Sequence, residues 1–228
     1  KDEVSAPIAK DFEMAQKLGF SDEWNYLLFL DILKNLNAGQ VNFREVSISL
    51  NFDLLMKESF KVSLKTKIAI FIDRLVGSLN FKNSYRVVIY DGYFPLGRLI
   101  LCFLKIGQLP RLFREFTLPI DFLAPDYPTR KKFKHSNSAI SDFEKFLIDK
   151  IPLDLPIAYL EGYGTLIEQL PNLPSAKVVM TASPYEGELF KVWAAEQVNL
   201  GAKFVVSAHG GAIISRFATY NHEEDIAD

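Results

Sequence analysis

The sequence is poor in the residues that build disulfides and metal sites. Among 228 residues there are one cysteine, Cys102, and three histidines. A lone cysteine cannot form an internal disulfide, and a structural zinc site needs about four ligands. We therefore predict no bound metal. Because Cys102 lies in an apolar run, we expect a buried free thiol, which is compatible with a reducing compartment.

The chain also lacks a strong excess of charge of either sign. Its 26 Lys and Arg stand against 28 Asp and Glu, which gives a net charge of -2 and predicts no general attraction to nucleic acid. With 49% hydrophobic residues, the chain can bury a substantial core, which excludes intrinsic disorder. Its length fits one large domain or two small ones, since domains usually have roughly 100–200 residues.

Long hydrophobic segments are missing as well. The apolar stretch Leu99–Leu104 ends at Lys105 and is far shorter than the ~18 residues of a membrane helix. Residues 1–10 lack the apolar core of a signal peptide. We expect a cytoplasmic protein without a transmembrane segment, and peripheral association with a membrane is left open. Neither end carries an obvious terminal element, so we expect a piece of a longer protein.

Three common catalytic motifs are absent from the sequence. It contains no Walker A pattern, no G-x-G-x-x-G and no G-x-S-x-G elbow. Their absence disfavours nucleotide hydrolysis, dinucleotide-dependent redox chemistry and serine-hydrolase chemistry.

The apolar pattern changes near residue 80. Residues 1–80 are predicted to be mainly helical, with Ser21 as an N-cap and a helix over 64–79 that places Asp73 on its polar face. Residues 81–228 alternate short β-branched runs with helical patterns. This predicts a Rossmann-like α/β domain with a parallel sheet and helices on both faces. Strands are expected over 86–90, 109–113, 177–181 and 203–207, and helices over 96–105, 138–150, 157–170 and 186–200.

Ligands of open α/β sheets bind beyond the carboxyl ends of the strands. That rule selects the loops 91–93, 183–186 and 209–211. Asp91 could accept hydrogen bonds from sugar hydroxyls or act as a base, although an Asp-Gly pair after a strand is more often only a turn.

The loop with His209 carries the sharpest signal. An imidazole titrates near neutral pH, so it can serve as a general base or donate to a phosphate. Gly210 and Gly211 would let a substrate approach the backbone and leave amide groups to bind an anion. A tight turn with a hydrogen-bonded histidine explains the same tripeptide equally well.

Further candidates lie in the loop 183–186. Ser183, Tyr185 and Glu186 could line the cleft beside His209. Equally, Ser183 could cap a helix and Glu186 could be a first-turn carboxylate.

Charged side chains elsewhere have simpler explanations. The basic cluster at 130–135 could bind phosphate groups or an acidic glycan, but a solvated loop is the commoner explanation for such a run. Glu161 is a lone carboxylate that we expect to be solvated.

Four segments of the sequence resemble one family. They are Tyr159–Tyr163, Leu189–Glu196, Gly201–Gly211 and His222-Glu223. Their order and spacing resemble bacterial transferases of surface-carbohydrate biosynthesis, which are similar to capsule-polysaccharide transferases of the GT-B type. The resemblance is strongest over residues 155–228.

The resemblance implies a function and a set of site residues. It implies the acceptor-side half of a GT-B glycosyltransferase, inactive without a donor domain that follows Asp228, and needing no metal or cofactor. The substrates would be a nucleotide sugar and a glycan acceptor. Catalytic candidates are His209, Glu223 and Glu186; substrate-binding candidates are Gly210, Gly211, Ser183, Tyr185, Asp91 and His222.

Two other classes of function remain as alternatives. One is a non-catalytic module that binds glycan or protein through the cluster at 130–135. The other is a stand-alone hydrolase with His209 as its base.

Overall fold

A computed structural model of the chain describes residues 7–35, 64–79, 84–113, 116, 124–133, 141–183 and 187–207. Contacts group the chain into two compact units, a first unit of residues 1–59 with 121–165 and a second unit of residues 60–120 with 166–228. The expected boundary at residue 80 falls outside the described residues and stays a prediction.

The described elements follow one another in this order: α1 (Phe12–Gly19), α2 (Asp22–Asn35), α3 (Leu64–Ser78), β1 (Ser84–Tyr90), α4 (Leu96–Lys105), α5 (Tyr127–Arg130), α6 (Asp142–Asp154), a 3-10 turn (Ile157–Tyr159), α7 (Tyr163–Gln169), a second 3-10 turn (Leu170–Asn172), β2 (Ser175–Thr181), α8 (Glu188–Asn199) and β3 (Lys203–Val206).

The first unit is helical where it is described. The N-cap role predicted for Ser21 is confirmed, because its hydroxyl accepts a hydrogen bond from the Trp24 amide at 3.2 Å. Ser141 and Glu144 form a capping box that begins α6. That helix starts and ends later than predicted and takes in Pro152, while the helix expected over 157–170 is broken into α7 and two 3-10 turns.

The second unit is built on a parallel sheet. Among the described residues, three strands pair in the order β1-β2-β3. Val88 lies beside Val179, and Val179 beside Phe204, so one buried row crosses the sheet. The expectation of an α/β fold with a parallel sheet is confirmed.

The helices α4 and α8 end in the same way. Past α8, Gly201 takes a φ of 93° and the amide of Ala202 donates to the Gln197 carbonyl at 2.9 Å. Past α4, Gly107 takes a φ of 68° and the amide of Gln108 donates to the Phe103 carbonyl at 2.9 Å. Both are Schellman motifs, in which glycine accepts the left-handed conformation without steric cost.

The strand expected over 109–113 is wrong. Residues 109–113 are irregular, and the edge of β1 is instead paired by the side chain of Gln108. Its Oε1 accepts from the amides of Arg86 and Val87 at 2.9 and 3.1 Å, and its Nε2 donates to the Val87 carbonyl at 2.8 Å. Pro110 lacks an amide hydrogen, so this segment is a poor partner for a strand.

A cluster of aromatic side chains supports β1 and α8. The ring of Tyr90 stacks on Phe190 at 4.3 Å between centroids, and Phe116 contacts both rings and Trp193. The indole of Trp193 donates to the Pro174 carbonyl at 2.7 Å, which ties α8 to the start of β2. Tyr90, the last residue of β1, is therefore packed in an aromatic cluster with α8.

Candidate functional site

The carboxyl ends of the strands form one connected edge in the second unit. The amide of Ala182 donates to the Asp91 carbonyl at 3.2 Å, which joins the segments that follow β1 and β2. The amide of Ser207 donates to the Thr181 carbonyl at 2.8 Å, which brings the end of β3 to the same edge. Because ligands of open α/β sheets bind at this edge, we take it as the candidate site.

The loop after β1 has an unusual backbone. Asp91 and Tyr93 take φ values of 46° and 53°, a left-handed conformation that Asp adopts more readily than most residues and that is uncommon for Tyr. Between them, a Cβ added to Gly92 would lie 2.8 Å from Cγ2 of Ile89. Residues held in such conformations cluster at functional sites, since the surrounding structure must hold them there. The loop presents the exposed side chains of Asp91 and Tyr93.

Ser183 lies under this loop. Its side chain is fully buried, and its amide donates to Oγ1 of Thr181 at 3.0 Å. Its hydroxyl lies 3.4 Å from the hydroxyl of Tyr93, whose side chain is 61% exposed. The structure thus brings together two predicted residues, Asp91 and Ser183, through Tyr93. Tyr93 was missed as an individual site residue, although its loop was selected by the strand-end rule.

The segment that leads into α8 is held close to β1. Gly187 takes a φ of 77°, and a Cβ built on it would lie 3.0 Å from the Tyr90 hydroxyl. Gly187 is the N-cap of α8 and provides no side-chain cap. The alternative in which Ser183 caps this helix is therefore wrong, which leaves its hydroxyl at the edge with Tyr93.

A family model for transferases matches the whole chain, residues 1–228. The chain belongs to the LIC12162 family of transferases. This confirms the transferase part of the resemblance seen in the sequence. No curated protein and no solved structure matches the chain.

The remaining site residues predicted for this LIC12162 family member lie outside the described residues. They are Tyr185, Glu186, His209, Gly210, Gly211, His222 and Glu223. Ser207, two residues before His209, does lie at the candidate edge. Their places in the site stay predictions.

The described part of the chain lacks two other features. There, no three side chains among His, Cys, Asp and Glu are grouped so that they could hold a metal ion. In the same residues, no helix has the length and apolar character needed to cross a membrane.

Arg130, the first residue of the basic cluster at 130–135, is not part of a solvated loop as we expected. The side chain of Arg130 is fully buried in the first unit, where it donates to the Pro152 and Leu155 carbonyls at 3.1 and 2.6 Å. Its Nε and Nη2 donate to the two carboxylate oxygens of Glu161. Arg130 is therefore not available to a glycan, whereas residues 131–133 are exposed.

Glu161 is correspondingly not the solvated carboxylate that we expected. Its side chain is only 10% exposed. Burial would raise the pKa of Glu161, but hydrogen bonds from Arg130 and from the Asp126 amide, with the charge of Arg130, lower it below its usual value. Arg130 and Glu161 together fasten α5 to the segment between α6 and α7, which is a structural role.

Proposed function

We propose that this transferase is a glycosyltransferase, and that this chain is the acceptor-side half of a GT-B enzyme. The donor would be a nucleotide sugar and the acceptor a surface-polysaccharide or related glycan. The observation that supports this most directly is the meeting of the Asp91–Tyr93 loop with Ser183 at the carboxyl edge of a parallel sheet. The family name and the resemblance of residues 155–228 agree with the proposal.

The edge offers groups suited to a sugar. Asp91 carries an exposed carboxylate that can accept hydrogen bonds from two hydroxyls of a sugar. Tyr93 offers an exposed aromatic ring and its phenolic hydroxyl. We assign Asp91 and Tyr93 to contacting the acceptor, and the buried Ser183 hydroxyl, 3.4 Å from that of Tyr93, to positioning Tyr93. A hydrogen bond to a charged group contributes about 1.5–3 kcal/mol, so loss of the Asp91 charge should lower kcat/KM for the acceptor about 10- to 150-fold.

The reaction would proceed by direct transfer. An acceptor hydroxyl attacks the anomeric carbon of the donor, the bond from that carbon to the phosphate oxygen breaks, and the nucleotide leaves with the bonding electrons. The hydroxyl proton passes to a base, for which His209, Glu223 and Glu186 are the candidates. The amides of Gly210 and Gly211 would stabilise the departing phosphate. No metal or organic cofactor is part of the proposal.

The proposal is tested on the protein expressed with any residues that follow Asp228 in its reading frame. The protein is incubated with a panel of nucleotide sugars and glycan acceptors, and the released nucleotide is measured. We expect release that depends on acceptor, and a loss of about 10²-fold or more in kcat for His209→Ala. Failure to bind or turn over any nucleotide sugar would overturn the proposal.

A matched pair of variants tests the binding role of the edge. Asp91→Asn should raise KM for the acceptor while leaving KM for the donor unchanged. Asp149→Asn removes an exposed carboxylate from α6 and should leave both constants unchanged. If Asp91→Asn behaves like Asp149→Asn, the edge does not bind the acceptor.

A further inference from the structure

The helix α4 leaves most of its apolar side chains exposed. Phe103 is its one buried residue, and its ring packs edge-on against Phe113 at 6.4 Å between centroids. Beside Phe103, three exposed residues spaced four apart form an apolar stripe along the helix: Leu96, Ile100 and Leu104. Leu101, also exposed, lies next to this stripe. Phe94, which precedes the helix in the chain, and Leu109, which follows it, are also exposed. We call these six exposed residues, 94, 96, 100, 101, 104 and 109, the α4 face.

Both charged residues of α4 are positive. Between Gly92 and Pro110 the charged residues are Arg98 and Lys105, with no Asp or Glu. Cys102 lies four residues after Arg98 and three before Lys105. The three exposed side chains therefore share one stripe along the helix. An apolar stripe beside a basic one is typical of helices that lie in the interface of a membrane.

The charge pattern distinguishes α4 from α6, another helix with an exposed apolar stripe. In the first unit, α6 also exposes apolar side chains at a spacing of four, namely Phe143, Leu147 and Ile151. However, α6 carries four acidic residues and two lysines, a net charge of −2, whereas α4 carries two basic residues and no acidic one, a net charge of +2. An anionic surface therefore attracts α4 and repels α6.

The thiol of Cys102 is exposed, contrary to the buried thiol that the sequence predicted. The reason is its place on the helix, because Cys102 shares the stripe of Arg98 and Lys105 while Phe103 takes the position against the core. A large exposed apolar patch on a soluble domain indicates an interaction site. Here the partner must accept leucine side chains and positive charge side by side.

We propose that the α4 face is a docking surface for an anionic lipid bilayer. The helix lies in the plane of the interface, with Ile100, Leu101 and Leu104 among the upper acyl chains. Arg98 and Lys105 contact the lipid phosphates. Binding is reversible, since one short helix buries too little apolar surface for permanent anchoring.

The single cysteine of the chain provides the test, because Cys102 is already on the helix concerned. The full chain is labelled there with an environment-sensitive fluorophore and mixed with vesicles of phosphatidylcholine alone or of phosphatidylcholine and phosphatidylglycerol in equal parts. We expect a blue shift with the anionic vesicles and a much smaller one with the neutral vesicles. Unlabelled protein should sediment with the anionic vesicles in parallel.

Matched variants separate the two parts of the surface. Ile100→Glu with Leu104→Glu should abolish sedimentation with vesicles, whereas Leu147→Glu with Ile151→Glu on α6 should not change it. Arg98→Gln with Lys105→Gln should weaken binding to anionic vesicles about 25-fold, since each basic residue near such a surface contributes about 1 kcal/mol. Far-UV circular dichroism confirms that each variant keeps its helices.

Three results would overturn the proposal. The first is equal binding, or none, to neutral and anionic vesicles. The second is a fluorophore that is already blue-shifted without vesicles, which would mean that protein covers the α4 face. The third is sedimentation that survives the Ile100→Glu, Leu104→Glu double substitution in a folded protein.

Discussion

Among the described residues, each unit of the molecule contains one buried arginine that faces a buried carboxylate, and the two are held in different ways. In the first unit Arg130 makes a two-pronged contact with Glu161, and its remaining donors reach backbone carbonyls. In the second unit Arg111 lies 3.7 Å from Asp73 and donates to the Tyr85 hydroxyl at 3.3 Å.

The surroundings of the two guanidinium groups explain the difference. The group of Arg111 lies over the rings of Tyr85 and Phe113, 5.8 and 5.3 Å from their centroids, and is stabilised by cation–π contact. Asp73 in turn accepts a hydrogen bond from the Leu112 amide at 2.6 Å. Arg130 thus depends on polar partners, whereas Arg111 is shared between a carboxylate and aromatic rings. The comparison predicts that replacing each arginine with methionine will lower the free energy of unfolding by unequal amounts.

Substitution of Arg130 should have the largest effect on stability. Arg130→Met leaves the Glu161 carboxylate with the Asp126 amide but without its two contacts to the guanidinium, and it leaves two buried carbonyls without their donor. Removing one partner of a buried ion pair costs about 3–5 kcal/mol. Urea denaturation measures the change in the free energy of unfolding. Lys131→Met, at the exposed neighbouring position, is the control and should cost less than about 0.5 kcal/mol. A cost for Arg130→Met as small as that of the control would contradict the structural role of the pair.

The same substitution at the other arginine should cost less. In Arg111→Met the Asp73 carboxylate keeps the Leu112 amide as a donor, and a thioether packs well against the rings of Tyr85 and Phe113. We expect a loss of about 1–3 kcal/mol, the range for one unsatisfied buried group. Urea denaturation under the same conditions gives the comparison. Equal losses at the two arginines would show that the aromatic rings do not stabilise Arg111.

Local signals in the sequence were enough to predict the bounds of most strands and helices in the second unit. The β-branched runs predicted β1, β2 and β3 to within two residues at each end, and the glycines after α4 and α8 predicted where those helices end. These features depend on residues close together in the chain. The strand-end rule also selected Asp91 and Ser183, because parallel strands must bring their carboxyl ends to one edge.

Several of the errors concern contacts between distant residues. Arg130 and Glu161 are separated by 31 positions, and nothing in either segment indicates its partner. Asp73 was placed on a polar helix face but is buried, because Arg111 and the Leu112 amide neutralise and bind it. Gln108 substitutes for a strand through its side chain, which no periodicity reveals. The contact between Tyr93 and Ser183 spans 90 positions and was equally hidden.

A smaller substitution tests how firmly Arg111 is held. A Cβ added to Gly77 in α3 would lie 2.6 Å from Cζ of Arg111, so Gly77→Ala must displace the guanidinium. Overpacking costs about 1–3 kcal/mol, and the gain in helix propensity returns about 0.5–1 kcal/mol, so we expect a net loss of about 1 kcal/mol in thermal or urea unfolding.

The double variant gives the control for that measurement. In an Arg111→Ala background the obstacle is gone, and Gly77→Ala should then stabilise the protein by about 0.5–1 kcal/mol. A loss of the same size in both backgrounds would show that Arg111 is not what opposes the added methyl group. Gly97 in α4 has open space around its Cβ position, and Gly97→Ala should cause no loss.

The smallest change in the free energy of unfolding is expected at Asp154, a second carboxylate of the first unit. Burial raises the pKa of Asp154, Lys150 at 3.8 Å lowers it, Asp31 raises it and Arg130 lowers it, with a net upward shift. A carboxylate whose pKa is higher in the folded state destabilises the fold when it is ionised, and the fold gains stability as the pH falls through that pKa. The sign is opposite for Glu161, whose contribution is present above its unfolded pKa and lost as the pH falls through the lowered value.

Asp154→Asn therefore removes an unfavourable charge at neutral pH. We expect it to stabilise the protein by less than about 1 kcal/mol at pH 7, with the advantage shrinking as the pH is lowered and the wild-type carboxyl takes up its proton. Lys150 keeps Asp31 as a partner at 2.9 Å, so the substitution does not leave the lysine unpaired. Urea denaturation from pH 7 to pH 4 measures the difference, with Asp149→Asn as the charge-matched control. A destabilised Asp154→Asn variant would mean that the attraction between Asp154 and Lys150 outweighs the cost of burying the ionised Asp154 carboxylate.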